Sequence, residues 1–181
     1  MIVYHGTTKS SALKIIKDGE IKNRCERVWN FEAVLASGEK KSIKTTDGFV
    51  YLSDKFSLAA FYGNSARIRL NNGEQSYFVF RVDIPENELR QDADELTMNH
   101  EIINPHMTAQ ESLDICHCVT VDYSINKNVY SIEYMEVSIE DCDSEVFGVV
   151  MELLRHKNDM QEDPMELISK LEISAKWERL K

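Results

Sequence analysis

The chain has 181 residues, 43% of them apolar, and carries a net charge of −10 with an isoelectric point near 5.0. That length and apolar content suit one folded domain and exclude a disordered chain. An acidic surface repels phosphate backbones and so disfavours bulk nucleic-acid binding. The opening MIVYHGTTKSS has no basic stretch followed by an apolar one. No run approaches the roughly 20 apolar residues of a membrane helix. A cytoplasmic protein with no membrane partner is therefore expected. Cys25, Cys116, Cys118 and Cys142 do not have the spacing of a disulfide framework, and reduced thiols are expected.

In chain order, Ile2–Tyr4 reads as a short buried strand. Thr8 or Ser10 can cap a helix over Ser11–Lys17, with Ala12, Ile15 and Ile16 on one face and Gly19 ending it. Residues 22–47 are polar and weakly periodic, which fits a long loop with a short helix around Trp29–Leu35. Phe49–Leu52 is an apolar strand, after which Asp54 caps a helix over Lys55–Tyr62 that Gly63 closes. Asn71-Asn72-Gly73 signals a turn, and Tyr77–Ile84 is rich in aromatic and β-branched residues, as strands are. Thr108 and Glu111 form a capping box before a brief helix. Val119–Tyr123 and Val129–Ile139 are strands joined by a polar turn at Asn126-Lys127-Asn128. Val146, Phe147, Val149, Val150, Leu153 and Leu154 have the spacing of an amphipathic helix, with the acidic run Glu140–Glu145 at its N-terminus. Asp163, Pro164 and Glu166 then start a last helix that runs to about Leu180. Strands in the middle and helices at the ends make the class α+β.

Three segments carry candidate chemistry. In Tyr4-His5-Gly6-Thr7 the glycine lets a ligand approach the backbone, while His5 and Thr7 offer polar groups for a ribose. The same residues also fit a strand that simply runs into a helix cap. In the stretch from Gly48 to Tyr62, Tyr51 and Tyr62 stand eleven residues apart and can flank a planar cationic ring. Two ordinary half-buried tyrosines fit the same letters. In Tyr130-Ser131-Ile132-Glu133-Tyr134-Met135-Glu136-Val137, alternation puts Glu133 with Ser131, Met135 and Val137, and Glu136 on the opposite face. Glu133 is then either an edge-strand charge or a functional carboxylate.

Together and in this order, the segments resemble the motifs of the His-Tyr-Glu class of ADP-ribosyltransferases, the diphtheria-toxin-like and poly-ADP-ribose-polymerase-like enzymes. His5-Gly6-Thr7 resembles that family's His-Gly-Ser/Thr motif. Gly48 to Tyr62 resembles its Gly-x-Tyr-Phe-Ala and Ser-x-Ser-x-x-Tyr motifs, and Ile132-Glu133-Tyr134 its Asn-Glu-Tyr strand. The resemblance implies an ADP-ribosyltransferase fold, with two small antiparallel sheets around an NAD cleft and C-terminal helices. Residues 1–140 would form the catalytic domain and residues 141–181 a helical extension packed on it. It implies His5, Tyr51 and Glu133 as catalytic residues, and His5, Gly6, Thr7, Tyr51, Ser57 and Tyr62 as residues that bind NAD. NAD would be a substrate and no metal would be needed. Ala59 stands where the family has its second serine, so the carboxamide contact would be weaker or fall to the backbone.

The implied activity is mono-ADP-ribosyl transfer from NAD to a macromolecular acceptor, protein favoured over nucleic acid, with release of nicotinamide. The same fold also serves NAD glycohydrolysis, transfer to nucleic acid, and binding without turnover. The related RNA 2′-phosphotransferases use His and Arg residues, and Glu133 argues against them. Cys116-His117-Cys118 invites a metal reading, but no second cysteine pair follows, and buried structural cysteines fit better. His100 and His106 read as exposed or capping residues. Arg67 and Arg69 suit a solvated strand face or a pyrophosphate contact.

Overall fold

The structure, a computed structural model, describes residues 1–23, 30–34, 40–44 and 46–181. Cys25 and part of the helix expected around Trp29–Leu35 lie outside them. The strands are β1 (Ile2–Thr8), β2 (Glu20–Ile21), β3 (Asn30–Val34), β4 (Lys40–Lys44), β5 (Val50–Ser53), β6 (Ser76–Asp83), β7 (Arg90–Gln91), β8 (Cys118–Val121), β9 (Ile125–Asn126), β10 (Ile132–Ser138) and β11 (Glu178–Arg179). The helices are α1 (Lys9–Asp18), α2 (Phe56–Leu70), α3 (Ala93–Asn99), α4 (Ala109–Cys116), α5 (Glu145–Leu153) and α6 (Met165–Ser174).

The α+β class holds, but the sheets differ from the expected pair. Seven strands join in the order β11-β10-β6-β1-β5-β8-β7, and β2-β9 and β3-β4 are separate two-stranded sheets. All pairings are antiparallel. The seven-stranded sheet is nonetheless two halves. β1 matches β6 from Ile2–Asp83 to Thr8–Tyr77, whereas its register with β5 is the pair Tyr4–Ser53. Beyond that pair β1 and β5 part, and the rest of that edge of β1 has no ladder partner among the described residues.

Alternation along the central strands sorts side chains onto two cores. Val3 of β1, Phe78, Phe80 and Val82 of β6 and Ile132 of β10 pack with Ala12 and Ile15 of α1. On the other face, Tyr77, Val79, Met135 and Val137 pack with Phe56, Ala59 and Ala60 of α2, Val149, Val150 and Leu153 of α5, and Leu167 and Leu171 of α6. Leu58, Leu96, Cys116 and Cys118 make a third, smaller cluster.

Several local expectations hold for the reasons that suggested them. The Thr8 hydroxyl accepts from the Ser11 N–H at the start of α1, and Gly19 ends the helix at φ 69°, where a side chain would be strained. Thr108 and Glu111 close a reciprocal capping box on α4.

Others are corrected. Asp54 does not cap α2, and Gly63 does not close it. The helix runs on to Leu70, so Arg67 and Arg69 sit in its last turn rather than on a strand. The acceptor that α2's first turn needs comes from far along the chain, since Ser57 N–H donates to Asp163 Oδ2 over 2.8 Å. Asp163 therefore does not cap α6, which starts behind Pro164 without a side-chain cap. That last helix also stops at Ser174 rather than near Leu180. The chain instead extends, Glu178–Arg179 pair with the open edge of β10, and Leu180 N–H donates to Ile132 O over 2.9 Å. Backbone pairing with an unfilled strand edge outweighs continued helix there. Residues 30–34, in the stretch expected to be helical, are the strand β3 paired with β4. The strands on either side of Asn126–Asn128 do not pair with each other: β8 joins β5 and β7, and β10 joins β6 and β11. No helix among the described residues is long and apolar enough to cross a membrane.

Candidate functional site

Gly6 is the tightest point of the site. A Cβ built there would lie 1.7 Å from the Ala59 carbonyl oxygen and 2.8 Å from Gly63 N. A Cβ on Gly63 would in turn meet Tyr77 Cδ2 at 2.9 Å. The two glycines thus let β1 and α2 pack backbone to backbone, so the missing side chain at Gly6 faces the helix rather than a ligand. What remains for a ligand is the peptide edge of β1 where it parts from β5.

His5 sits on that edge. Its Nδ1 is 3.0 Å from the Tyr51 carbonyl oxygen. A carbonyl only accepts, so Nδ1 carries the proton. Burial holds the ring's pKa below its ordinary value, with the Tyr51 contact opposing. The imidazole is thus neutral and Nε2 is left as an acceptor, suited to a sugar hydroxyl. Thr7 is half-buried on the same strand.

Tyr51 and Tyr62 are brought together through α3, an element the sequence reading missed. The Tyr51 hydroxyl lies 2.5 Å from Asp94 Oδ2 and 2.8 Å from Thr46 O. The Tyr62 hydroxyl donates to Glu95 Oε2 over 2.7 Å. Adjacent residues of one helical turn therefore hold both phenols. Burial first, and then Asp94, raises the Tyr51 hydroxyl well above its ordinary value. Burial first, with the hydrogen-bonded Glu95 carboxylate adding to it, does the same for Tyr62. Both stay neutral donors. Helix α3 is capped by Asp92, whose Oδ1 accepts from Glu95 N–H over 2.9 Å. Asp92 is buried, and that burial pushes its carboxyl up to about 8. The pattern Asp92-x-x-Glu95 was the readable signal, because an N-cap acid three residues before Glu marks a helix start.

Glu133 and His5 are not side by side. The register puts Glu133 opposite Arg81, and Arg81 opposite Tyr4, so Glu133 shares a cross-strand row with Tyr4 on the α2 side of the sheet. His5 lies in the neighbouring row with Phe80 and Tyr134, on the α1 side. Glu133 accepts from Arg81 Nε over 2.6 Å. Glu136 is on the face opposite Glu133, where it pairs with Lys9 Nζ at 2.8 Å and Ser76 Oγ at 2.5 Å. Burial opposes its ionisation, but Lys9 and Ser76 together outweigh that and hold its carboxyl below the usual value.

Ser57 is fully buried, with its Oγ unpaired beneath the segment that brings Asp163. The turn at 154–163 is held by Lys55, itself 1% exposed, whose Nζ donates to His156 O and Asp159 O over 2.7 and 3.0 Å. Arg67 is taken up by Asn64 and by Glu74 O. Cys116 ends α4 and Cys118 begins β8, with His117 between them at φ 56°, so the triplet is not a strand; both thiols are free and buried. His117 Nδ1 instead meets Asp54 at 3.0 Å, and that contact raises its pKa. Among the described residues no group of His, Cys, Asp and Glu is placed to hold a metal ion.

No protein-family model, curated protein or solved structure matches this chain.

Proposed function

We propose that the chain binds NAD⁺ along the free edge of β1 and transfers its ADP-ribose unit to a macromolecular acceptor, protein in preference to nucleic acid. The observation that carries this reading is the parting of β1 from β5 just after Tyr4–Ser53, with His5 bound to Tyr51 O at that point. It supports a cleft bounded by the first two segments that resemble the ADP-ribosyltransferase motifs, with Glu133 of the third two strands away beyond β6. In this reading the Gly6 peptide meets the nicotinamide carboxamide, which suits a chain with Ala59 in place of the second serine. His5 Nε2 accepts from a ribose hydroxyl, and Tyr51 and Tyr62 flank the cationic ring.

The bond from the ribose to the nicotinamide nitrogen breaks, and nicotinamide leaves with the electron pair. The acceptor's nucleophile bonds to the sugar carbon and gives up its proton. Positive charge builds on the sugar in the transition state, and Glu133 is the carboxylate assigned to stabilise it. Incubation with NAD⁺ should release nicotinamide and leave ADP-ribose on an acceptor visible by mass spectrometry. If no nicotinamide is released with any acceptor or with water, transfer is overturned. One observation favours a second reading, binding of NAD⁺ or ADP-ribose without turnover: Glu133 is already paired with Arg81. Calorimetric binding of NAD⁺ with no release would select it.

A further inference from the structure

Glu133 belongs to a three-member charge cluster that reaches into the C-terminal segment. Arg81 gives its Nε to Glu133 and its Nη1 to Glu172 of α6, each at 2.6 Å. The guanidinium carbon lies 4.2 Å from the centre of the Trp177 ring, and Trp177 packs edge-on against Phe56 of α2, with ring centres 6.4 Å apart. The arginine is thus fixed in plane and direction by α6 and the residues after it. Its side chain is 22% exposed, against 34% for Glu133 and 39% for Glu172. Arg179 stands opposite Glu133 in the register of β11, but among the described residues no ion pair joins the two.

The chemistry assigned to Glu133 needs negative charge facing a cationic sugar. A lone Arg81–Glu133 pair has no net charge, and its field at the sugar would largely cancel. With Glu172 on the second arm of the same guanidinium, the cluster carries a net charge of minus one. Arg81 can then hold the Glu133 carboxylate in place without cancelling its effect.

We propose that Glu172 and Arg81 are positioning residues for Glu133, with Glu172 restoring the charge that Arg81 removes, so that residues beyond 140 complete the catalytic site. This rests on the transfer reading above. Burial works against Arg81's charge, but its hydrogen bonds to Glu172 and Glu133 outweigh it and hold its pKa above the ordinary value, in keeping with a shared cation.

The test is a set of variants assayed for NAD⁺-dependent nicotinamide release, each checked for an unchanged melting temperature. Glu172→Gln should lower kcat about tenfold, less than the roughly 10²–10³-fold expected for loss of the carboxylate itself, with KM for NAD⁺ little changed. Glu172→Asp should keep most of the activity. Arg81→Gln combined with Glu172→Gln should recover kcat relative to Glu172→Gln alone, because the net charge returns to minus one. A purely structural role for the pair makes the double variant the worst of the set. An active wild type with an unimpaired Glu172→Gln, or a double variant no better than Glu172→Gln, overturns the inference and leaves the transfer reading standing. A wild type that releases no nicotinamide overturns both.

Discussion

His5 Nδ1 donates to the Tyr51 carbonyl oxygen over 3.0 Å, and this contact fastens β1 to β5 where their own ladder has ended. It fixes the tautomer and leaves Nε2 as an acceptor, so protonation of the ring should be harmful. His5 has a folded-state pKa below its ordinary 6.5, so the unfolded chain takes up the proton first. Its contribution to stability is therefore full above about pH 6.5 and is lost as pH falls through the depressed value. Nicotinamide release should decline over the same acidic range. In thermal melts from pH 7 to pH 5, His5→Ala should lose stability less steeply than the wild type. Parallel slopes would show that the imidazole is not held neutral.

Tyr51 and Tyr62 separate stacking from hydrogen bonding. Tyr62→Ala should weaken NAD⁺ binding by about 0.5–1.5 kcal/mol, the worth of a stacking partner, and Tyr51→Ala should behave alike. Tyr51→Phe keeps the ring and loses only the hydroxyl contact to Asp94 and Thr46. It should cost stability by about 0.5–1.5 kcal/mol while NAD⁺ affinity holds. Calorimetry that finds both alanine variants binding normally would remove the tyrosines from the site.

Glu133 and Glu136 lie on opposite faces of β10, so they form a paired test. Glu133→Gln should lower turnover by roughly 10²–10³-fold with NAD⁺ affinity little changed, the scale for loss of one preorganised electrostatic group. Glu136→Gln disturbs Lys9 and Ser76 and should leave turnover within about threefold, with a small fall in melting temperature, as for other partly exposed ion pairs. Steady-state kinetics on the two variants decide the matter, and the reverse ranking would move the chemistry to the α1 side of the sheet.

Asp92 gives the fold an opposite pH signature to that of His5. Its folded-state carboxyl is raised to about 8 from an ordinary 3.8. Between those values the unfolded chain has lost the proton and the folded chain has kept it. Stability contributed at this residue should therefore fall as pH rises from about 4 to about 8, at up to about 1.4 kcal/mol for each pH unit, and level off above. Asp92→Asn keeps an oxygen that can accept from Glu95 N–H and removes the titration. Denaturant melts should show the variant gaining on the wild type as pH is raised, and a constant difference would refute the buried acid.

Local chemistry was legible where neighbours in sequence decide the outcome. Thr8 and Gly19 bracket α1, Thr108 and Glu111 box the start of α4, and strict alternation set Glu133 and Glu136 on opposite faces of β10, because capping, turn geometry and pleat act within a few residues. The three candidate segments could also be read from their letters and their order. What the letters did not carry were contacts made across the chain. Asp163 caps α2 from 106 residues away, so Asp54 is left for His117. Gly6 is required by Ala59 of a packed helix rather than by a ligand. Asp94 and Glu95 find the two phenols, and Glu172 and Trp177 find Arg81. The edge of β10 turns the end of the chain from helix to strand. Each of these depends on which surfaces the packed cores bring within hydrogen-bonding reach, and a side chain separated by tens of residues leaves no periodic mark in the sequence it will meet.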